Sequence, residues 1–528
     1  MSPSSAAPPE SKGYSSATRF SRALGATVTT SGFGYASQLL SIFALPLYLT
    51  TLGAAGYGLI VTVMALMGYI GFADAGLSWG SMILIAQADG RGSRAEIAHI
   101  VRHSIGLAAC SGLLAIAMIA GILGAARAGH RLPMFTRHPE ADLLIAIAGV
   151  QLVVTLQLSV FYNLFTGLQE GYWTAAYQGL GRLLGIAAAM WVAWRTRSVA
   201  GVMLVQFAFV AATGIVAAVH VWLRHPWAFS SGSWFDKSQY LAQLRIGAKN
   251  FLLQIGRTLA GTAPTLGISS IVGPAAVPLY SVPTTLLTSF FMPINSWNAN
   301  MQSAYGEACM SGSRDWTRRA YRQTLERSLL IGGSGVAIFL ALGDRFVRLW
   351  THGRLWLDTS MAVSVAAIVV LYCLVAGSEY LLTGMNCHRR AAVAQIAGGV
   401  LSILLVPLTI KWLGLGSVGI GVVVATLGTS GWVLWREIRH HLGPESFPKL
   451  SFLARICATV ALSWGAARWV GRAGPPDVRS VLVHLAAGGA VGLVGFAAVA
   501  SALRLVAGED IVKLWRRVFR RFAPAGSK

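Results

Sequence analysis

Long apolar runs, separated by short polar links, constrain this chain more than any other feature of its sequence. They lie near 24–49, 57–86, 100–126, 141–167, 172–194, 198–223, 247–272, 276–304, 327–350, 360–384, 390–411, 415–435, 452–470 and 480–506. A hydrocarbon core about 30 Å thick is crossed by roughly 20 residues of helix. Inside it no water can satisfy the backbone, so each run is expected to be a helix. Only 12% of the 528 residues are charged, about half the share usual in soluble proteins. The expected fold is an all-α polytopic membrane protein of about fourteen transmembrane helices. The runs at 57–86 and 276–304 are longer than one crossing needs.

The net charge of +23 is spread unevenly over the links. With a cytoplasmic N-terminus, 28 of the 42 lysines and arginines fall on the cytoplasmic side and 12 on the other. That asymmetry follows the positive-inside rule and puts both termini in the cytoplasm. Arg127, Arg131 and Arg137, between the third and fourth runs, are the basic residues that fit it least. Residues 1–23, rich in Ser, Pro and Ala, read as a disordered cytoplasmic arm. The first apolar run is too long for a cleaved signal peptide and reads as a span that stays. At the other end, residues 507–528 read as a basic amphipathic helix. Ile511, Leu514, Trp515, Val518, Phe519 and Phe522 share one face, and Lys513, Arg516, Arg517, Arg520 and Arg521 the other. Such a helix suits the anionic cytoplasmic leaflet.

Three short segments recur in order at nearly one offset. Gly53-Ala54-Ala55 before Tyr57 matches Gly273-Pro274-Ala275-Ala276 before Tyr280, and Gly92-Ser93-Arg94 matches Gly312-Ser313-Arg314. Thr166-Gly167-Leu168-Gln169 matches Thr383-Gly384-Met385-Asn386. The offsets are 220, 220 and 217 residues, and each match sits at the equivalent span boundary. A six-span unit used twice is a common build of secondary transporters. Six is even, so both copies enter from the same side. The expected organisation is an N-lobe at 24–223, a cytoplasmic linker at 224–245, a C-lobe at 246–437, and two extra spans within 438–506.

The stretch from Leu45-Pro46-Leu47-Tyr48 through Gly53-Ala54-Ala55-Gly56-Tyr57-Gly58-Leu59 to Phe72-Ala73-Asp74-Ala75-Gly76-Leu77 resembles the N-terminal signature of Wzx-type polysaccharide and O-antigen flippases. These belong to the multidrug/oligosaccharidyl-lipid/polysaccharide superfamily. The turn Thr166–Glu170 and the segment Val272–Val282 are similar to that family's pattern after span four and at the start of its second half. The resemblance covers roughly residues 24–440. It implies two six-helix lobes around a central cavity that opens alternately to cytoplasm and periplasm of a bacterial inner membrane. It implies an undecaprenyl-diphosphate-linked oligosaccharide as substrate, bound for exopolysaccharide, capsule or O-antigen. Other partners so implied are membrane lipids, a polymerase and further assembly proteins. The two additional C-terminal spans depart from the commoner twelve-span layout.

Ionisable residues within spans are few, and a charge at the bilayer centre costs about 2.5–3.5 kcal/mol on insertion scales, so each is expected to face a cavity or a partner. Arg257 is the leading candidate for holding the substrate diphosphate, with Lys249 and Arg245 expected on the same helical face, the three forming one basic stripe that runs inward from the cytoplasmic side. An Arg fork holds phosphate oxygens through paired charge-assisted hydrogen bonds. The alternatives for Arg257 are an ion pair with Asp74 or Glu379, or snorkelling. Arg182, in the fifth run, is a further candidate, with structural pairing as its alternative. Asp74 and Glu379 are candidates for ion coupling, since a carboxylate in a partly dry site can titrate near neutral pH. For Asp74 the alternative is a hydrogen-bonded helix break beside Gly71 and Gly76. Pro283 and Pro293 are expected to bend the eighth span. Most of the 17 tryptophans lie near span ends, where an aromatic belt explains them, with Trp79 and Trp297 open to a cavity role.

Other chemistries lack their signatures. Gly414-Leu415-Gly416-Ser417-Val418-Gly419 fits GxGxxG but sits between two apolar runs, without the strand a dinucleotide site requires. No HExxH or Walker A sequence is present, and the five cysteines lack ligand spacing, so neither metal nor cofactor is expected. There is no folded basic domain for nucleic acid. Catalysis is not expected. The competing readings are a drug/cation antiporter of the same superfamily, which calls for acidic cavity residues, and a polymerase or acyltransferase of polysaccharide assembly.

Overall fold

The structure is a computed structural model that describes residues 16–127, 140–229, 237–310 and 312–472. Every regular element among them is helical. In chain order they are α1 (Ser16–Thr51), α2 (Gly53–Ile70), α3 (Leu77–Gly90), α4 (Arg94–Arg127), α5 (Ala141–Gly167), α6 (Gly171–Thr196) and α7 (Val199–Arg224). These are followed by α8 (Lys237–Ile271), α9 (Val277–Met310), α10 (Arg314–Trp350), α11 (Thr359–Gly384), α12 (Arg389–Leu413), α13 (Val418–Thr426), α14 (Trp432–Leu442) and α15 (Leu450–Arg472). Ten spans among the described residues are long and apolar enough to cross a membrane. The chain is a multi-pass, all-α membrane protein. The arm at 1–15, the link around Arg131 and Arg137, the run at 480–506 and the C-terminal amphipathic segment lie outside the described residues.

Among the long helices outside these ten, α6 and α8 are set apart by their polarity. At about 1.5 Å per residue, α6 with 26 residues and α8 with 35 residues exceed the hydrocarbon thickness. Their deficit is polarity: α6 carries Gln178 and Arg182, and α8 carries Asn250, Gln254, Arg257, Thr258 and Thr262. Helix α8 also begins at Lys237, inside the stretch expected to be a linker. Hydropathy marks where a helix meets lipid and is blind to helix that continues beyond it.

The run at 57–86 is not one helix. A 3-10 turn, Gly71–Asp74, ends α2, and Ala75 (φ 49°) and Gly76 (φ 77°) adopt left-handed conformations before α3 begins. Asp74 stabilises the break: its carboxylate accepts from the backbone N–H of Ser78 at 3.3 Å and from Ser78 Oγ at 2.8 Å. The cap position of α3 is Gly76, and Asp74, two residues before it, takes up one of the backbone donors that a helix start leaves open. By contrast, α9 is assigned as one helix through Pro283 and Pro293.

The internal repeat is written in the backbone. Each of the three recurring segments carries a left-handed residue at the same place: Gly53 and Gly273 (φ 75° and 113°), Gly92 and Gly312 (70° and 72°), Gln169 and Asn386 (59° and 56°). Left-handed residues terminate helices and set the direction of the following chain. Pro46 inside α1 and Pro264 inside α8 add a fourth correspondence.

By contact the chain forms two compact units. The first comprises Met1–Pro278 with Ala392–Pro407, and the second Leu279–Ala391 with Leu408–Lys528. Within the first, α2 and α3 lie against α8 along a seam of small residues. A β-carbon on Gly58 would overlap the carbonyl of Pro274, one on Gly80 that of Gln243, and one on Gly247 that of Gly76. Thr262 donates to the Tyr69 hydroxyl at 2.8 Å and Thr62 to Ser269 at 3.2 Å across the same seam. On another face α8 meets α12, where β-carbons on Gly256 and Gly399 would come within 2.6 Å of Gln395 and 2.5 Å of Leu259. In lipid no hydrophobic force drives helices together, so such close backbone packing is the main attraction. The second unit has its own core, in which Tyr305, Tyr321, Leu325, Leu381, Leu434 and Ile438 are buried together.

Substituting Gly247→Val should destabilise the first unit by about 1–3 kcal/mol, the usual effect of overpacking. Gly261→Ala, where an added β-carbon has open space, should leave stability within about 1 kcal/mol. Thermal unfolding in detergent micelles distinguishes the two, and equal melting temperatures for both variants would contradict the seam.

Candidate functional site

Arg257 stands where α2, α8 and α12 meet. Its neighbours on the chain, Gly256 and Thr258, face different partners: Gly256 packs against Gln395 of α12 and Thr258 against Gly68 of α2. Arg257 itself is half-buried between these faces. With it, Gln254 and Gly261 are exposed and Asn250 is half-buried. The spacing 250, 254, 257, 261 places all four on one side of the helix, with Gln254 donating to Thr258 Oγ1 at 3.4 Å. The flanking Leu253 and Leu259 are buried. The result is a polar face, with a guanidinium at its middle, on a helix otherwise held by small and apolar contacts.

Arg245 is exposed on the same helix, and Lys249 lies on it with a side chain outside the described set. Eight residues at about 100° each turn Lys249 some 80° away from Arg257. The polar residues that extend the Arg257 face are therefore Asn250 and Gln254, which charge counting does not register. Arg182 is exposed on α6. Asp74 is half-buried and bonded to Ser78, which lies 3.2 Å from Ser159. Glu379 is 1% exposed on α11, beside Ser378, whose hydroxyl is 2.9 Å from that of Tyr321. Neither Arg257 nor Glu379 is without a partner. Trp79 and Trp297 are 52% and 47% exposed. Among the described residues, no group of three or more His, Cys, Asp and Glu is placed to hold a metal ion.

In the second unit, α9, α10, α11 and α15 line a half-open cavity of about 510 Å³. Its lining is apolar, with Phe291, Val336, Leu340, Val370, Cys373 and Trp464 among the residues that face it. Trp464 on α15 donates its indole N–H to the Leu340 carbonyl at 3.2 Å. Helix α15 thus forms one wall.

Ion pairs that the sequence did not flag close a helix pair in each half. Glu170, at the start of α6, accepts from Arg224 at 3.1 Å and lies 3.3 Å from His225 Nε2, both at the end of α7. In the repeat, Arg390 at the start of α12 donates to Glu437 of α14 at 2.9 Å, and His441 lies 3.7 Å from the same carboxylate. Acid and base have changed places while the helix ends they join have not. Only the turn Thr166–Glu170 gave a hint in the sequence, because nothing local pairs residue 170 with residue 224. Burial works to raise the pKa of Glu170. Hydrogen bonds from His225 and Arg224, together with their charge, outweigh it and hold the carboxyl below its ordinary value.

A family described as polysaccharide biosynthesis protein matches residues 25–299. No curated protein matches the sequence. Among solved structures, the lipid II flippase MurJ in an inward closed conformation aligns with a TM-score of 0.66 at 10% identity, over 90% of this chain and 99% of that one. An inward-facing multidrug resistance MATE family transporter of the MOP superfamily aligns at 0.63 with 18% identity, over 77% and 95%. A MOP superfamily transporter from Pyrococcus furiosus aligns at 0.55 with 15% identity, over 80% and 96%. At these identities the likeness is one of fold.

A carboxylate whose folded-state pKa is lowered stabilises fully above its unfolded value and loses that contribution as the pH falls through the folded value. Acidification below the ordinary Glu value of 4.5 should therefore remove the support that Glu170 gives the α6–α7 end. Glu170→Gln should melt lower than the unaltered protein at pH 7, and the gap should shrink as the pH drops below that point. Thermal melts across pH check this, and a gap that does not change with pH would contradict it.

Proposed function

We propose that this chain, which belongs to the polysaccharide biosynthesis protein family, moves a lipid-linked oligosaccharide across a bacterial inner membrane. The substrate class is undecaprenyl-diphosphate-linked sugar, carried from the cytoplasmic to the periplasmic leaflet by alternating access. Transport, with no chemical change to the substrate, is the activity. One observation carries the reading: the polar face Asn250–Gln254–Arg257–Gly261 on α8, a 35-residue helix long enough to cross a bilayer. Such a face is costly against lipid and suited to a wet passage for an anionic head group. Arg257 is the proposed diphosphate ligand, since its planar fork matches phosphate oxygens. Lys249, Arg245 and Arg182 are proposed as further basic contacts on the route.

The fold likeness to a lipid II flippase supports a lipid-borne substrate, and so does the apolar cavity behind α9 and α10. That cavity, about 510 Å³, has room for part of a polyprenyl chain. Both termini are proposed to be cytoplasmic, from the charge asymmetry of the links. The acidic side chains favour export of a cation less: Asp74 is bonded to Ser78 in the first turn of α3, and Glu379 is buried in the second unit. They remain the proposed groups for any ion coupling, with Pro283 and Pro293 the proposed points of flexure in α9.

Arg257→Gln should cut translocation of a fluorescent polyprenyl-diphosphate glycan in proteoliposomes by about tenfold or more, the loss expected of a charge-assisted contact. Arg257→Lys should retain part of the activity. Translocation by Arg257→Gln at the unaltered rate would remove the proposed ligand.

A further inference from the structure

Trp297 and Arg327 make an arrangement that the transport reading leaves unused. Trp297 projects from α9 with 47% of its surface exposed. Its indole N–H nevertheless donates to Thr324 Oγ1 of α10 at 3.4 Å. The hydroxyl of Tyr305, itself 1% exposed, donates to the same oxygen at 3.4 Å. The ring is thus pinned at its edge while much of its surface stays open. One turn beyond Thr324, the guanidinium of Arg327 stands 6.0 Å from the ring centroid.

Both side chains lie where the apolar part of their helices ends. The apolar stretch of α9 finishes at Met292, and Trp297 follows just over one turn later. From the same two helices, Phe291 and Ser328 line the apolar cavity. A pinned aromatic ring with a cation over one face, its other surface open, and an apolar cavity lined from the same helices match the three parts of one amphiphile: phosphate, sugar and chain. An exposed ring face stacks on the apolar face of a pyranose. A guanidinium takes phosphate oxygens in pairs.

We propose that Trp297 and Arg327 form a glycosyl-phosphate site, in which the indole carries the first sugar and Arg327 the phosphate next to it. The site rests on the flippase reading and adds to it a first docking point at head-group level, on the second unit, separate from Arg257. Its ligand is a sugar-bearing phospholipid. An ordinary anionic phospholipid offers Arg327 a phosphate but gives Trp297 nothing to stack on.

The test uses the full-length protein in nanodiscs, with short-chain polyprenyl-diphosphate N-acetylglucosamine as one probe and phosphatidylglycerol as the other. Trp297→Leu and Arg327→Gln should each weaken binding of the glycolipid about tenfold, and Trp297→Phe, which keeps a ring, should lose less. Phosphatidylglycerol binding should not respond to Trp297→Leu. Unchanged glycolipid binding by Trp297→Leu, while Arg257→Gln still impairs translocation, would overturn this site and leave the transport reading standing. Equal losses for both lipids would make the pair an interfacial anchor and overturn it as well. A protein of unaltered sequence that neither binds nor moves the glycolipid would sink the transport reading itself.

Discussion

Where α8 meets α2 and α3, the backbones touch because atoms are missing. Gly58, Gly76, Gly80 and Gly247 have no β-carbon, and any side chain there would collide with a carbonyl or an opposing residue. The hydrogen bonds Thr62–Ser269 and Thr262–Tyr69 can form only at that separation. In a bilayer the apolar surface of a helix gains little by leaving lipid for protein, so close approach and polar bonds must supply the attraction. The break after Asp74 belongs to the same arrangement. It lets α3 turn onto the start of α8, with Gly76 at 3.0 Å from the Gly247 carbonyl by the position its β-carbon would take.

This seam uses up one face of α8, and the contact of Gly256 and Gly399 with α12 uses another. What remains is the side that carries Asn250, Gln254, Arg257 and Gly261. A helix gripped on two sides can hold a guanidinium on the third at a defined height in the membrane. That is the requirement for an anion site that costs little reorganisation when ligand arrives. The functional reading therefore depends on packing that is itself apolar and small.

Much of the fold was legible because hydropathy and repeats are local signals. The runs matched helices because lipid leaves the backbone no other choice, and Gly53, Gly92 and Gln169 announced their partners because left-handed turns restrict which residues can serve. The interruption at Ala75 was legible as well, as the hydrogen-bonded break weighed for Asp74 between Gly71 and Gly76. Two features were not legible in that way. The start of α8 at Lys237 lies in polar sequence that hydropathy discards. The pairs Glu170–Arg224 and Arg390–Glu437 join residues 54 and 47 positions apart, a distance at which charge alone identifies no partner. Arg257 could be picked out as a charge in a span. Its helical face could not, because the uncharged Asn250 and Gln254 define it.

The central claim is that the exposed side of α8 around Arg257 meets water. Single cysteines at positions 254, 257 and 261, placed in a chain whose five native cysteines are replaced, can be probed with a membrane-impermeant thiol reagent. The account predicts labelling at all three and protection at 253 and 259, which are buried. Labelling of 254 and 261 only by a lipid-soluble reagent would place that face against hydrocarbon and contradict the account.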